Sequence, residues 1–361
     1  MKHGPETQCP VMNLSIQKKS HARAIPKPRC RLQSPGWHES ARRSLERILR
    51  AGAGKGLPVV FDFDNTIVSG DVGEAVLALL ANSGRLASKR VCETLSPDLK
   101  SRANGSIRVR DCENLMEYYE AMLEPTVHGK ADPTPFANAY VWAAQVLEGL
   151  CLAEVLDATR HAFQLGESAG SEITAGKLKY PPPRFRAEMV ELIAELIRLG
   201  YQPWIVSASN VWSVRWMVKH GLNPLLMKHG APGGLPPGQV IGLATLVSDN
   251  TGRLYKDWVL IREKKAYANL DPRLLGSLRA TRHVQFPAPV YSGKVACILD
   301  ALGCNPYLSA GDSPSDHPML AISKNRLWIA RREKPEALQA TKALIQRTGK
   351  EGWIVHNVGS C

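Results

Sequence analysis

Short apolar runs, several of them ending in polar or acidic residues, alternate with helical segments over much of this 361-residue chain. Each run has the length of a buried strand, and the runs lie at residues 57–64, 201–209, 305–312, 326–331 and 351–358. Between them, apolar residues at helical spacing predict helices at residues 184–200, 210–221 and 293–303. This alternation predicts an α/β fold in which a mostly parallel sheet lies between two layers of helices.

Residues 73–180 interrupt that alternation. Their apolar spacing predicts only helices and no strand, with the helices at residues 73–86, 113–123, 136–149 and 152–167. Three consecutive prolines, Pro181 to Pro183, then form a stiff boundary. We therefore expect a core made of residues 34–72 and 181–361, with a helical cap, residues 73–180, inserted into it.

Most of the excess positive charge lies near the N terminus. Residues 1–57 contain 12 Lys and Arg against 3 Asp and Glu, whereas the net charge of the whole chain is +13. Within this stretch, a leader at residues 1–33 mixes Pro, Ser and Gln without any long period, which predicts disorder. Its charge leaves open a contact between residues 1–57 and nucleic acid or anionic lipid.

The remaining composition excludes several classes of protein. With 44% hydrophobic and 22% charged residues, the chain is neither wholly disordered nor collagen-like. No apolar stretch approaches the ~20 residues that span a bilayer, and we see no secretory signal at the start. The eight cysteines include no CxxC pair, which is typical of reduced thiols. We therefore expect a cytoplasmic protein without a membrane span.

Acidic residues follow two of the apolar runs. Asp62 and Asp64 end the first run, and Asp312 and Asp316 follow the third. Ligands bind outside the carboxyl ends of parallel strands, so we expect the two acidic clusters to meet there. Converging carboxylates repel one another unless a cation compensates their charge, and hard oxygen ligands suit Mg²⁺. The pattern therefore predicts a Mg²⁺ site.

Four motifs in order resemble those of the haloacid dehalogenase superfamily of aspartate-nucleophile phosphatases. They are DFDNT at residues 62–66, VSAS at 206–209, Gly293-Lys294, and GDSPSD at 311–316. The strings VSGDVGEAV and VSASNVW are most similar to the phosphoserine phosphatase-like branch, and particularly to phosphorylcholine-phosphatase-type proteins. The resemblance spans about residues 37–329. It implies a Rossmann-like three-layer α/β/α core with an inserted helical cap between the first two motifs.

The resemblance also implies catalytic roles. Asp62 would attack phosphorus and form an aspartyl-phosphate, while Asp64 would protonate the leaving oxygen and then activate water. Ser207 would donate a hydrogen bond to the phosphoryl group, and Lys294 would offset negative charge. Ala208 stands where many phosphoserine phosphatases have Gly, so the approach of the backbone to the substrate is expected to differ.

For the metal, the resemblance implies a set of oxygen ligands. Asp62, the backbone carbonyl of Asp64 and Asp312 would hold Mg²⁺. Asp316 and Ser315 match positions that support the metal and Lys294, either from behind the direct ligands or through water. The sequence Ser-Pro-Ser in this motif replaces the commoner Gly-x-Asn, which leaves the contribution of Ser315 open.

Two acidic residues, Asp71 and Glu74, indicate the chemistry of the substrate at the end away from its phosphate. Asp71 lies where phosphoserine phosphatases have an acidic residue that receives the substrate ammonium, and Glu74 follows one helical turn later. The resemblance implies a substrate with a cationic end, such as phosphoserine, phosphocholine or phosphoethanolamine. The same two residues could instead form a helix cap, and the two roles are compatible.

Aromatic pairs offer a further possibility at that end of the substrate. Trp212 and Trp216 stand four residues apart, and Tyr118 and Tyr119 lie in the predicted cap. Aromatic faces bind quaternary ammonium groups, but pairs at helical spacing are more typical of a core.

Together these features predict a Mg²⁺-dependent phosphatase that hydrolyses a small-molecule phosphomonoester. Two alternatives would use the same intermediate: a phosphotransferase with an alcohol acceptor, and a phosphatase for a sugar or nucleotide phosphate. A non-catalytic binding protein is disfavoured because Asp62 and Asp64 are both present. The sequence does not indicate an oligomeric state.

Overall fold

The computed structural model describes residues 32–86, 95–101, 105–127, 138–265, 271–349 and 351–358. The predicted disorder of residues 1–33 falls almost entirely outside these ranges. The helices are α1 (Glu39–Gly52), α2 (Val72–Asn82), α3 (Leu115–Val127), α4 (Ala139–Gln145), α5 (Leu152–Glu167), α6 (Ala187–Arg198), α7 (Val211–Met217), α8 (Asn223–Lys228), α9 (Asp257–Arg262), α10 (Pro272–Ser277), α11 (Ser292–Leu302), α12 (His317–Ile322) and α13 (Pro335–Thr348).

The strands are β1 (Pro58–Phe61), β2 (Val68–Ser69), β3 (Leu99–Ser101), β4 (Gly105–Ile107), β5 (Ile173–Ala175), β6 (Leu178–Tyr180), β7 (Arg184–Phe185), β8 (Gln202–Asn210), β9 (Val240–Leu243), β10 (Thr245–Ser248), β11 (Leu254–Tyr255), β12 (Arg279–Val284), β13 (Leu308–Gly311), β14 (Asn325–Arg331) and β15 (Trp353–Val358). Six of them form one sheet in the order β15-β14-β13-β1-β8-β9, and all neighbours in it are parallel.

Helices cover both faces of this sheet. Val60 of β1 packs in a cluster with Ile298 of α11 and Met319 of α12. Its neighbours Val59 and Phe61 point to the opposite face and belong to the main hydrophobic core. A strand buried on both faces is apolar at consecutive positions, as the run at β1 is. The predicted three-layer α/β/α core with a parallel sheet is therefore confirmed.

The edge of the sheet differs from the prediction. The sequence of residues 239–256, with turn residues at Asp249–Gly252, predicts a hairpin, and β10 and β11 do pair antiparallel around that turn. The first part of the same apolar run, however, forms β9, which pairs parallel with β8 in the main sheet. β10 also pairs with β12, which makes a separate three-stranded sheet. Because the apolar run is continuous, the sequence does not indicate where the chain passes from one sheet to the other.

Between β1 and β8 the chain forms α2 to α5, close to the predicted helices. The prediction that residues 73–180 contain no strand is wrong, because the hairpins β3–β4 and β5–β6 lie there. Each of these strands has three residues, too short for a periodic pattern to show. The short strands β2 and β7 flank this segment and pair antiparallel with each other. We keep the term cap for residues 73–180 as a proposed division of the chain.

Residues before the sheet are anchored by a buried polar cluster. Trp37 packs against His356 of β15, and its indole Nε1 donates to Glu191 of α6 at 2.9 Å. This contact fixes α1 beside the edge of the sheet.

Over the described residues, no helix combines the length and the apolar character needed to cross a membrane.

Candidate active site

The two acidic clusters meet at the carboxyl edge of the central sheet. β1 and β13 are neighbours, and the backbone N–H of Asp62 extends their pairing by donating to Ala310 at 2.9 Å. Carboxylate oxygens of Asp62, Asp312 and Asp316 all lie within 4.8 Å of one another. The three residues are buried, at most 6% exposed. The structure therefore brings together residues that are about 250 positions apart in the chain, as the strand-end argument predicted.

Lys294 neutralises part of this charge from the first turn of α11. Its Nζ lies 2.7 Å from Asp62 and 2.5 Å from Asp316, and its side chain is 1% exposed. Burial alone would lower the pKa of Lys294, but the two carboxylates raise it above its ordinary value. Lys294 is therefore held as a cation between the two acids.

The surroundings of Asp62 oppose its ionisation. Burial and the neighbouring charge of Asp316 raise its pKa well above the ordinary value, and Lys294 opposes that shift. An ionised Asp62 therefore depends on nearby positive charge.

Asp64 lies on the turn that follows β1, where Asn65 adopts a left-handed conformation with φ of 57°. One oxygen of Asp64 accepts the backbone N–H of Val72 at 2.7 Å. The other accepts the hydroxyls of Ser207 at 3.0 Å and Ser209 at 2.7 Å. Burial, followed by the charge of Asp71, raises the pKa of Asp64 to about 7. The carboxyl is thus oriented by three donors and is able to hold a proton near neutral pH.

Asp316 faces away from the cleft and organises the loop after β13. It is fully buried, and one of its oxygens accepts the backbone N–H groups of Asp312 at 3.1 Å and Ser313 at 3.2 Å. Its other oxygen binds Lys294. The hydroxyl of Ser315 pairs with that of Ser313 at 2.7 Å, and both residues line the cleft.

Asp312 has two partners that the sequence argument missed. Thr66 donates to one carboxylate oxygen at 3.2 Å, and a guanidinium nitrogen of Arg331 lies 2.9 Å from the other. Burial raises the pKa of Asp312 to about 6 although Arg331 opposes the shift. Arg331 ends β14, the neighbour of β13, so the strand-end rule would have found it had the strand order been known.

The acidic pair lines the same cleft, beyond Asp64. Asp71 is the N-cap of α2 and accepts the backbone N–H of Glu74 at 2.9 Å, so the capping interpretation is confirmed for Asp71. Burial and the charge of Glu74 raise the pKa of Asp71 to about 8. Burial and the charge of Glu120 raise the pKa of Glu74 to about 7. Arg331 and Lys334 oppose the shift at Glu74 but do not offset burial. A cationic ligand in the cleft would stabilise the ionised forms of both acids.

The aromatic candidates are placed differently from the acidic pair. Trp212 is fully buried in the core, and Trp216 packs against Phe163 and His220. These two tryptophans do not line the cleft, which confirms the core interpretation for them. The aromatic residues that do line it are Tyr140, Tyr180 and Tyr291, and Ala208 lies with them on its wall.

The carboxylates at the sheet edge have the chemistry of a divalent-cation site. Three carboxylates with hard oxygen ligands converge, and their buried negative charge exceeds the positive charge of Lys294. Asp312 Oδ2 is buried and accepts no well-directed hydrogen bond from the described residues. A buried carboxylate oxygen in that state is suited to bind a cation. The cluster of Asp62, Asp312 and Asp316 can therefore hold a metal ion.

Comparison with known proteins shows that the chain is similar to a phosphatase. The chain is 29% identical to phosphorylcholine phosphatase of Pseudomonas aeruginosa over 349 residues, which cover 88% of this chain and 90% of that protein. A solved structure of a functionally unknown protein from Anaerococcus prevotii is 17% identical, with a TM-score of 0.59 over 91% of this chain and 98% of its own. At this identity the likeness concerns the fold alone.

Substrate-bound phosphoserine phosphatase is a more distant structural match. It is 14% identical, with a TM-score of 0.40 over 78% of this chain and 90% of its own, too low to support an argument. No protein-family model matches the chain. The similarity to phosphorylcholine phosphatase, over most of both chains, confirms the predicted resemblance to phosphorylcholine-phosphatase-type proteins.

Proposed function

We propose that this chain is a Mg²⁺-dependent phosphatase that hydrolyses a small phosphomonoester with a cationic end through an aspartyl-phosphate on Asp62. A phosphoric monoester hydrolase of this type is supported by the similarity to phosphorylcholine phosphatase. The observation that carries the proposal is the contact between Lys294 and Asp62 at 2.7 Å, inside a cluster of three converging carboxylates. A buried lysine that favours the ionised form of an aspartate fits a nucleophilic carboxylate.

The first step is attack of Asp62 on phosphorus. An ionised carboxylate oxygen forms the new P–O bond while the ester P–O bond breaks and the alcohol leaves. Because burial raises the pKa of Asp62, its charge must be stabilised by Lys294 and by a bound cation. Asp62, Asp312 and the backbone carbonyl of Asp64 would hold Mg²⁺, with Asp316 behind them. When bound, Mg²⁺ supplies positive charge that lets the anionic phosphate approach an anionic nucleophile.

Asp64 serves both proton transfers. Its pKa of about 7 keeps a large fraction of the carboxyl protonated near neutral pH, so it can give a proton to the leaving alkoxide. In the second step the ionised Asp64 takes a proton from the water that attacks the phosphoryl group, and Asp62 is regenerated. Ser207 and Ser209 orient the carboxyl by hydrogen bonds. Ser207 is also available to donate to a phosphoryl oxygen once substrate enters.

The acidic pair indicates which alcohol leaves. Asp71 and Glu74 line the cleft and have raised pKa values because burial separates their charge from water. A substrate ammonium placed against them would stabilise the ionised forms. The cationic ends of phosphocholine, phosphoethanolamine and phosphoserine supply that charge.

The experiment is a comparison of esters with the purified protein. We expect Mg²⁺-dependent phosphate release, with a higher kcat/KM for phosphocholine and phosphoethanolamine than for glycerol phosphate or a sugar phosphate. EDTA should abolish the release. Added alcohols that intercept the phosphoryl group would reveal new esters if the chain were a phosphotransferase. No hydrolysis of any ester with Mg²⁺ would refute the proposal.

A further inference from the structure

Arg331 stands between the metal-site carboxylates and the cleft. It is the last residue of β14, next to β13, so it reaches the same edge of the sheet as Asp312. A guanidinium nitrogen of Arg331 lies 2.9 Å from Asp312 Oδ2, with the two side chains 14% and 3% exposed. Arg331 also lines the cleft. It is therefore a buried cation on a carboxylate that could hold a metal ion.

The contact between Arg331 and Asp312 is not a fully satisfied ion pair. Asp312 Oδ2 accepts no well-directed hydrogen bond, and Arg331 Nε is buried without an acceptor, both within the part of the chain that the structure describes. The second carboxylate near Arg331 is Glu333, 3.8 Å away and more than half exposed. A bidentate arginine–carboxylate pair would use two aligned donors and leave neither group short of partners. Charge, more than geometry, holds this contact together.

The distribution of positive charge explains why Arg331 is there. The carboxylates of Asp62, Asp312 and Asp316 are buried together, and Lys294 forms ion pairs with Asp62 and Asp316. Asp312 forms its ion pair with Arg331, whose charge lowers its pKa more than that of Lys294 does. Without that charge, a buried carboxylate would be uncompensated and strongly destabilising.

We propose that Arg331 is a positioning residue whose guanidinium pairs with the Asp312 carboxylate when no divalent cation is bound and releases it when the cation binds. This competition weakens the affinity of the site for the cation. This inference rests on the proposed function, because it takes Asp312 as a ligand of Mg²⁺. Two cations at one buried carboxylate repel each other, and little water or salt is present to screen them. Cation binding must therefore displace the guanidinium or act against its charge.

Isothermal titration of Mg²⁺ into the full-length protein tests the inference without relying on turnover. We compare the wild type with Arg331→Ala, which removes the charge, and Arg331→Lys, which keeps a cation. Arg332→Ala, at the exposed neighbouring position, is the matched control. We expect the Kd for Mg²⁺ to fall at least about tenfold in Arg331→Ala. It should change by less than about threefold in the lysine and control variants.

Thermal unfolding gives a second measurement on the same proteins. In EDTA the Tm of Arg331→Ala should lie below that of the wild type, whereas the rise in Tm caused by Mg²⁺ should be larger. Arg331→Gln, which is neutral but keeps a donor for Asp312, should show the same tightening if the alanine variant does not fold. Equal or weaker Mg²⁺ binding by the neutral variants would overturn the inference. Failure of the wild type to bind Mg²⁺ would instead overturn the proposed function.

Discussion

The ammonium of Lys294 lies 2.7 Å from the carboxylate of Asp62, although 232 residues separate the two in the chain. β1 carries Asp62 to the edge of the sheet, and the first turn of α11 places Lys294 against it. The charge of Lys294 favours the ionised form of the proposed nucleophile, whereas burial and the charge of Asp316 favour its protonated form.

Replacing Lys294 by Met tests that dependence. The change removes the charge, raises the pKa of Asp62 further, and leaves two buried carboxylates without their shared cation. We expect kcat to fall at least about 100-fold and the protein to lose about 3–5 kcal/mol of stability. Phosphate release and Tm measure the two effects. Lys256→Met, at an exposed position, is the control, and equal behaviour of the two variants would contradict the role.

Asp64→Asn should separate esters by their leaving groups. An amide keeps an oxygen for the backbone N–H of Val72 but has no proton to give to an alkoxide. We expect kcat for phosphocholine to fall about 10²- to 10⁴-fold. With para-nitrophenyl phosphate, whose leaving group needs no proton, the first step should be much less affected, measured as a burst of nitrophenol. Loss of that burst to the same extent would argue against proton donation.

Asp71 can be tested without losing its capping function. Asparagine is as good an N-cap as aspartate, so Asp71→Asn removes the charge and keeps the cap of α2. We expect the KM for phosphocholine to rise about 10- to 100-fold and the KM for glycerol phosphate to change by less than about threefold. Asp71→Ala should add a loss of about 1 kcal/mol in stability. Equal rises in KM for charged and neutral esters would reject the ammonium-binding role.

Stability in EDTA should decrease with rising pH. The pKa values of Asp64, Asp71 and Glu74 are raised in the folded protein to about 7, about 8 and about 7. Such groups contribute stability that is complete below their unfolded pKa values, near 4, and is lost as pH rises through 7 to 8. We expect Tm at about pH 8.5 to lie at least roughly 5 °C below Tm at about pH 6.

Two further measurements assign that pH effect to the buried acids. Asp71→Asn should reduce the difference in Tm between the two pH values because it removes one of the titrating groups. Mg²⁺ should raise Tm more at the higher pH, where the carboxylates are ionised and bind it. A Tm in EDTA that rises with pH over this interval would contradict the raised pKa values.

Much of the fold and the site could be predicted because local sequence patterns indicate them. Apolar runs ending at Asp62 and Asp312 indicated strands, and the rule for parallel sheets placed both carboxylates at one edge. Ser207 and Lys294 came from motif resemblance, and the structure places both beside the acids. Their catalytic roles stay predictions until the variants are measured.

What the sequence could not provide depends on strand order and on very short elements. Arg331 was missed because its importance follows only from β14 lying next to β13. Ser209 was missed because its contact with Asp64 follows only from the end of β8 lying beside the turn after β1. The hairpins at β3–β4 and β5–β6 were missed because three-residue strands are stabilised by their partners and not by local pattern.

The most direct test of the account is to find the phosphoryl group on Asp62. The wild-type protein is mixed with phosphocholine and Mg²⁺, quenched in acid during turnover, digested, and its peptides are weighed by mass spectrometry. We predict a phosphorylated peptide containing Asp62 that loses the group on treatment with hydroxylamine and is absent from Asp62→Asn. Phosphate release that proceeds while Asp62 stays unmodified, or a label on another residue, would contradict the account.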